Sequence, residues 1–188
     1  TETPGEGVDS IALVGWDIWW YESDTAKRYY SYTLPDNVEN LDPWVGAVYM
    51  QRSGSGSLYY ERPRLYGNAL DNVIYGNGGL DARLGSFIDG GAGADTMIGY
   101  GDDTFVVDNP GDIVDGGGGV DEILSYVTYT LPQRYYTYAT SQGEVLGLLG
   151  VQNLILLGSN AIDGTGNALN NRLDGSQNSA ANVLAGGA

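Results

Sequence analysis

A nine-residue repeat rich in glycine and aspartate constrains the fold of this chain more than any other feature of its sequence. Residues 90–98 read Gly-Gly-Ala-Gly-Ala-Asp-Thr-Met-Ile, and residues 116–124 read Gly-Gly-Gly-Gly-Val-Asp-Glu-Ile-Leu. Both fit the pattern G-G-x-G-x-D-x-U-x, in which U is large and apolar. Three aspartates also follow one another at nine-residue intervals: Asp103, Asp112 and Asp121. A fixed short period of this kind is the signature of a repeat architecture, in which neighbouring units stack on one another.

Acidic residues are concentrated in the same region. The 188 residues include 24 Asp and Glu but only 8 Lys and Arg, for a net charge of −16. No Lys or Arg occurs from Leu84 to Gln133, although nine acids do: Asp89, Asp95, Asp102, Asp103, Asp108, Asp112, Asp115, Asp121 and Glu122. These acids alternate with glycines and with short apolar pairs, which favours short strands joined by tight turns over a disordered tract. Stacked turns would bring the carboxylates together, and their repulsion favours a bound cation.

The residue types that are missing exclude several classes of function. The chain has no Cys and no His, which excludes disulfides, Cys/His zinc sites and His-based catalytic triads. The strong negative charge argues against nucleic acid or an anionic membrane as a partner, and no apolar run is long enough to insert into a membrane. A carboxylate pair could hydrolyse glycosides without His, but Glu22, Glu39, Glu61 and Glu144 lie in no recognisable motif. We therefore expect no enzymatic activity within these residues.

The repeats resemble the RTX family of calcium-binding repeats, found in secreted bacterial toxins, proteases, adhesins and surface proteins. The resemblance is close over residues 67–125 and weaker over residues 158–188. It implies an all-β fold, a right-handed parallel β-roll or β-solenoid with aromatic-rich inserted loops. In such a roll the turns alternate between two edges, and calcium lies between turns that are two repeats apart. The resemblance also implies type I secretion and an extracellular or cell-surface location.

The predicted cofactor is Ca²⁺, because this ion takes six to eight oxygen ligands from carboxylates and carbonyls. Glycines allow the positive φ angles that turn carbonyl groups toward an ion. Asp103 and Asp121 are two full repeats apart and are expected on one edge, whereas Asp95 and Asp112, one residue closer together, are expected on the opposite edge. The predicted metal-site residues are Gly90, Gly91, Gly93, Asp95, Gly101, Asp103, Asp112, Gly117, Gly119 and Asp121.

A longer duplication surrounds the nonapeptides. Three segments recur in the second half of the chain: 32–35 as 129–132 (Tyr-Thr-Leu-Pro), 38–41 as 151–154 (Val-Glu/Gln-Asn-Leu) and 67–70 as 166–169 (Gly-Asn-Ala-Leu). We therefore predict a degenerate N-terminal cassette at 1–66, a calcium-binding roll at 67–125 and a second cassette at 126–188. One continuous domain over 1–188 is the alternative.

Aromatic residues gather where the two copies differ in length, at about 15–31, 42–66 and 133–150. Tyr, Trp and Arg are enriched in recognition surfaces because rigid amphipathic rings provide contact area at low entropic cost. The alternative is that these rings pack over the flank of the roll. The predicted ligand or partner surface consists of Trp16, Trp19, Trp20, Trp44, Tyr59, Tyr60, Tyr135 and Tyr136.

Three functions are compatible with these features. The leading one is a calcium-binding extracellular structural or interaction protein, such as an adhesin, surface-layer or filament-forming segment, with folding coupled to calcium. Its expected partner is another copy of itself or a cell-surface glycan or protein. The second is a glycan- or protein-binding module that uses the aromatic insertions. The third is an accessory repeat module of a secreted enzyme.

Overall fold

The computed structural model describes most of the chain: residues 10–12, 31–36, 38, 40–42, 50–52, 58–60, 62–76, 85–140 and 143–187. These residues form short strands: β1 Ser10–Ala12, β2 Ser31–Thr33, β3 Asn40–Asp42, β4 Met50–Arg52, β5 Leu58–Tyr60, β6 Arg64–Tyr66, β7 Val73–Tyr75, β8 Phe87–Asp89, β9 Thr96–Ile98, β10 Thr104–Val107, β11 Ile113–Asp115, β12 Glu122–Ser125, β13 Tyr129–Thr130, β14 Gln133–Thr140, β15 Gly143–Gly150, β16 Asn153–Leu156, β17 Gly164–Thr165, β18 Arg172–Asp174 and β19 Leu184–Ala185. Over these ranges there is no helix that is long and apolar enough to span a membrane.

Parallel pairing joins most of these strands into three sheets. Their strand orders are β1-β3-β7-β9-β11, β18-β16-β12-β10-β8-β6-β2 and β13-β17-β19. From β6 to β12, successive strands alternate between the five-stranded and the seven-stranded sheet, so the chain coils around a common axis. The result is a parallel β-solenoid of about five turns, which confirms the all-β solenoid predicted from the repeat.

The strand register places the aspartates as their spacing predicts. In the seven-stranded sheet, Thr104 pairs with Glu122, so the preceding residues Asp103 and Asp121 lie on adjacent turns. In the five-stranded sheet, Thr96 pairs with Ile113, and there one turn of the coil is shorter by a single residue. Asp103 and Asp121 precede strands of the seven-stranded sheet, whereas Asp95 and Asp112 precede strands of the five-stranded sheet. The two aspartate pairs therefore line different edges of the solenoid. We call the turns before β8, β10, β12 and β16 the first edge, and those before β7, β9 and β11 the second edge.

The core is a single column of apolar side chains inside the coil. Residues at the U position of each repeat point inward, and Met97, Phe105 and Ile123 are fully buried. Strands β7, β8 and β9 each have a buried central residue flanked by partly exposed neighbours, as strand geometry requires. Each buried side chain of this size contributes roughly 1.5–3 kcal/mol relative to exposure. The apolar column therefore holds the turns in register while their edges remain polar.

Two of the three predicted insertions coincide with antiparallel hairpins in this otherwise parallel fold. Strands β4 and β5 pair with Met50 opposite Tyr60, within the predicted insertion 42–66. Strands β14 and β15 pair over eight residues each and occupy the insertion 133–150. An ion pair of 3.0 Å between Arg134 and Asp115 joins the base of the second hairpin to β11. The insertion at 15–31 lies almost wholly outside the described residues.

Candidate metal centre

On the first edge, buried aspartates hydrogen-bond to the backbone of the neighbouring turn. Oδ1 of Asp121 accepts the N–H of Asp103 at 2.9 Å, and Oδ1 of Asp103 accepts the N–H of Ser86. The series continues through the N–H of Asp121, which donates to Oε1 of Gln152 at 2.7 Å. Each link joins two adjacent turns of the solenoid. One oxygen of each carboxylate is therefore used to hold the fold together.

The second edge repeats this arrangement. Oδ1 of Asp112 accepts the N–H of Asp95 at 3.0 Å, and Oδ1 of Asp95 accepts the N–H of Asn72 at 2.7 Å. Both aspartates are buried. The paired aspartates on each edge are therefore in hydrogen-bond contact through the backbone of one partner. Their spacing in the sequence predicts the shared edge but not this contact.

The second carboxylate oxygens divide the four aspartates into two classes. In Asp103 and Asp112, Oδ2 accepts two backbone N–H groups of its own turn. The donors are Tyr100 and Gly101 for the first, at 2.9 Å each, and Asp108 and Asn109 for the second, at 3.1 Å each. Both oxygens of these two aspartates are thus satisfied by the protein.

Asp95 and Asp121 form the other class. Both are fully buried, yet Oδ2 of each has no hydrogen-bond partner among the described residues. These two aspartates stand at the sixth position of the two complete nonapeptides. The first glycine of each repeat makes room for the unpartnered oxygen, since a Cβ at Gly90 or Gly116 would clash with it. A buried oxygen without a partner is costly, so Oδ2 of Asp95 and Oδ2 of Asp121 are the carboxylate oxygens that could accept a ligand.

Burial also perturbs the ionisation of these groups. It raises the pKa of Asp121 to about 8, a rise that the N–H of Asp103 opposes and the carboxylate of Asp103 reinforces. Burial likewise raises the pKa of Asp95 to about 7, against the lowering effect of the N–H of Asn72. The pKa of Asp103 is raised by burial too, but three backbone N–H bonds and the charge of Arg62 counter the rise. A cation beside Asp95 and Asp121 would favour their ionised forms.

The turn glycines of the complete nonapeptides adopt conformations that other residues rarely adopt. Gly91 and Gly93 have φ angles of 79° and 129°, and Gly117 and Gly119 have φ angles of 66° and 115°. The carbonyl oxygens of Gly99 and Gly101, one turn earlier, lie where a Cβ on Gly117 or Gly119 would be. Glycine at positions two and four therefore permits both the turn and the close stacking of its carbonyls.

The donor set of these turns suits a hard cation. Within the described ranges, no group of three or more Asp or Glu side chains forms a ready cage. The turns offer one unpartnered carboxylate oxygen on Asp95 and on Asp121, and the turn before β12 also stacks on the carbonyls of Gly99 and Gly101. Calcium accepts such a mixture of carboxylate and carbonyl oxygens, so the residues present fit this ion.

Turns that lack the aspartate use asparagine amides instead. The Nδ2 group of Asn68 donates to the carbonyls of Pro35 and Val38, at 2.8 and 2.7 Å. Its counterpart Asn167 in the duplicated segment donates to the carbonyls of Pro132 and Val151, at 2.9 and 2.8 Å. Nδ2 of Asn178 similarly joins the carbonyls of Leu157 and Asn160. A neutral side-chain donor thus bridges two carbonyls of an adjacent turn, and the duplication seen in the sequence is a structural one.

The predicted metal-site residues all lie on the two edges described above. Gly90, Gly91, Gly93 and Asp95 belong to the turn before β9, and Gly117, Gly119 and Asp121 to the turn before β12. Gly101 and Asp103 precede β10, and Asp112 precedes β11. Sequence reasoning missed Asn72, Ser86 and Gln152, which extend the series of hydrogen bonds between turns on the two edges. The signal that could have found them is their position, one residue before a short apolar strand, where the repeats carry aspartate.

The predicted aromatic surface falls largely outside the described residues. All four tryptophans do so: Trp16, Trp19, Trp20 and Trp44. Tyr59 and Tyr60 lie on β5, and Tyr135 and Tyr136 on β14, but only their backbone is described. The partner surface therefore stays a prediction.

Compared with known proteins, the chain matches no protein-family model, no curated protein and no solved structure. The fold itself therefore defines the class of the protein, which is a parallel β-solenoid built from short repeats. That architecture is compatible with a β-roll of the RTX type.

Proposed function

We propose that this chain is a calcium-binding structural and interaction segment of a secreted or cell-surface bacterial protein, and that calcium completes its fold. The observation that carries the proposal is the pair of unpartnered buried oxygens, Oδ2 of Asp95 and of Asp121. They occur in the two turns that match the full nonapeptide, whereas the aspartates of the incomplete repeats are satisfied by backbone N–H groups.

Calcium fits these turns better than other common ions. The chain offers neither thiolate nor imidazole, so soft and borderline metals have no preferred ligand. Magnesium demands octahedral geometry and keeps several waters, which does not suit a carboxylate buried against a glycine turn. Calcium tolerates irregular geometry and neutral carbonyl ligands.

The extracellular role follows from the strength expected of such sites. Sites with few carboxylates bind calcium in the range of about 10⁻⁴–10⁻³ M that is typical of extracellular modules. The acidic turns would then stay incompletely ordered inside a cell and close after export, because binding energy becomes folding energy. In this proposal the partner is a second copy of the chain or a surface glycan or protein, and it engages the inserted hairpins.

Calorimetric titration of the chain with calcium and with magnesium tests the proposal. We expect calcium to bind, magnesium to bind far more weakly, and β-sheet circular dichroism to rise with calcium. The double variant Asp95→Asn/Asp121→Asn should lose the binding, while Asp36→Ala, at an exposed position on a loop, should retain it. Identical spectra in chelator and in roughly 10 mM calcium, with no heat of binding, would refute the proposal.

A further inference from the structure

Arg62 lies across the solvent-facing side of the first edge and contacts two consecutive turns. Its Nη2 donates to the carbonyl of Ser86 at 3.1 Å and to that of Asp102 at 2.6 Å. It also reaches Oγ1 of Thr104 at 3.2 Å, and Nε lies 3.4 Å from the carbonyl of Gly85. One guanidinium group is thus surrounded by oxygens from the turns before β8 and β10.

The position of Arg62 in the fold is as informative as its contacts. It stands just before β6, so its side chain extends from one turn across the next two. In the turns before β6 and β8, the residue that precedes the strand is Pro63 or Ser86, where the acidic turns have Asp103 and Asp121. The guanidinium therefore lies at the boundary where turns without aspartate meet turns with it.

Carbonyl and hydroxyl oxygens are also the ligands that calcium takes in protein turns. Guanidinium is always charged and presents its N–H donors in a fixed planar fork. A positive charge at this boundary also partly balances the accumulated negative charge of the acidic turns, because the guanidinium lies against the carbonyl of Asp102.

We propose that Arg62 is a built-in cation that takes the place of a metal ion at the first edge, so that the stacking of β6, β8 and β10 needs no calcium. The oxygens that surround its guanidinium are then a latent cation site, which calcium can fill once the guanidinium is removed. The acidic turns beyond would be added onto this preformed end when calcium binds. This last step rests on the proposed function, whereas the role of Arg62 in chelator does not.

Amide hydrogen exchange of the full chain, in chelator and in roughly 10 mM calcium, tests the inference. The N–H of Phe87 bonds to the carbonyl of Pro63, and the N–H of Thr104 bonds to the carbonyl of Ser86, so these two amides report the two interfaces. In the unsubstituted chain we expect both to be protected in either buffer. In Arg62→Gln they should exchange at least about tenfold faster in chelator, and calcium should restore their protection.

Two further variants separate a cation from an ordinary hydrogen-bonding side chain. Arg172→Gln is the matched control, because Arg172 lies on the surface in an ion pair with Asp174, and it should leave both amides unchanged. If Arg62→Gln does not fold in chelator, Arg62→Ala supplies the test. Millimolar ethylguanidinium should restore protection of its two amides without calcium, because Arg62 is exposed and a small cation can reach the vacated oxygens.

Three results would overturn the inference. The first is equal exchange in Arg62→Gln and Arg172→Gln. The second is a loss of protection in Arg62→Gln that calcium does not restore, and the third is a failure of ethylguanidinium to rescue Arg62→Ala. The proposed function is reported separately by Glu122, whose N–H bonds to the carbonyl of Asp103 between two acidic turns. If the amide exchange of Glu122 in the unsubstituted chain is the same with and without calcium, the proposed function is wrong. The comparison at Phe87 and Thr104 is still valid in that case.

Discussion

Replacement of Asp121 by Asn should have opposite effects in chelator and in calcium. Burial raises the pKa of Asp121 to about 8 from its ordinary value of 3.8. At pH 7 the folded chain without calcium must therefore take up a proton at this carboxyl. The cost is about 4 kcal/mol, because pH 7 lies about 3 units above the ordinary pKa and each unit costs about 1.4 kcal/mol. Asparagine removes this cost and keeps an acceptor for the N–H of Asp103.

The amide introduced by the substitution has a cost of its own. Its NH₂ group would replace Oδ2, which has no partner among the described residues, and a buried unsatisfied donor costs about 1–3 kcal/mol. In chelator at pH 7 we therefore expect Asp121→Asn to be more stable than the original chain by about 1–3 kcal/mol. In calcium the original chain should become the more stable of the two, because the variant lacks one calcium ligand. The stabilisation that calcium produces should fall by about 1.5–3 kcal/mol, the value for one site at a ten- to hundredfold excess of ligand.

Urea unfolding followed by circular dichroism, at pH 7 in EGTA and in roughly 10 mM calcium, measures both differences. If the chain is unfolded in EGTA, titration with trimethylamine N-oxide gives the same comparison, since this osmolyte favours the compact state. Equal destabilisation of Asp121→Asn in both buffers, or an unchanged effect of calcium, would refute the reasoning.

Asp103→Asn is the matched control for this experiment. Both oxygens of Asp103 accept backbone N–H groups, from Ser86 on one side and from Tyr100 and Gly101 on the other. An amide there must turn its own N–H toward one of these donors. The broken bonds to a charged acceptor should cost about 2–4 kcal/mol in chelator as well as in calcium, partly offset by the removal of a carboxyl whose pKa is also raised by burial.

Three more outcomes follow from the same geometry. In chelator, the free energy of unfolding should fall as pH rises from about 4 to about 8, because Asp95 and Asp121 have raised pKa values and bind more protons in the folded than in the unfolded chain. Calcium should abolish this fall, and urea unfolding across the pH range measures it. Gly117→Ala should cost about 1–3 kcal/mol of stability, because φ is 66° and the new Cβ meets the carbonyl of Gly99. Gly118→Ala, with open space around the new Cβ, should cost far less, and thermal unfolding of the two variants in calcium measures the difference. The effects of Asp103→Ala and Asp121→Ala on calcium affinity should be strongly non-additive, since the carboxylate of Asp103 acts electrostatically on that of Asp121 and raises its pKa. Additive effects in a calorimetric double-mutant cycle would contradict the shared edge.

The sequence alone determined the repeating unit of this protein. A large apolar residue two positions after each aspartate predicts one buried side chain per strand, and Met97, Phe105 and Ile123 are fully buried. Glycine at positions two and four predicts positive φ angles, which Gly91 and Gly117 adopt. These features are local, because a turn conformation and the two-residue alternation of a strand depend only on neighbouring residues. The spacing between paired aspartates, close to two repeats, in addition predicts which turns stack on one another.

The use made of each carboxylate was decided only by the tertiary structure. Asp103 and Asp121 occupy the same position of the repeat, yet the protein satisfies both oxygens of the first and leaves one oxygen of the second unpartnered. The contacts of Arg62 likewise join residues up to 42 positions apart. Which N–H or carbonyl comes within hydrogen-bond distance of a side chain depends on how turns of unequal length stack. A hydrogen bond between turns is set by that three-dimensional stacking, which no single repeat encodes.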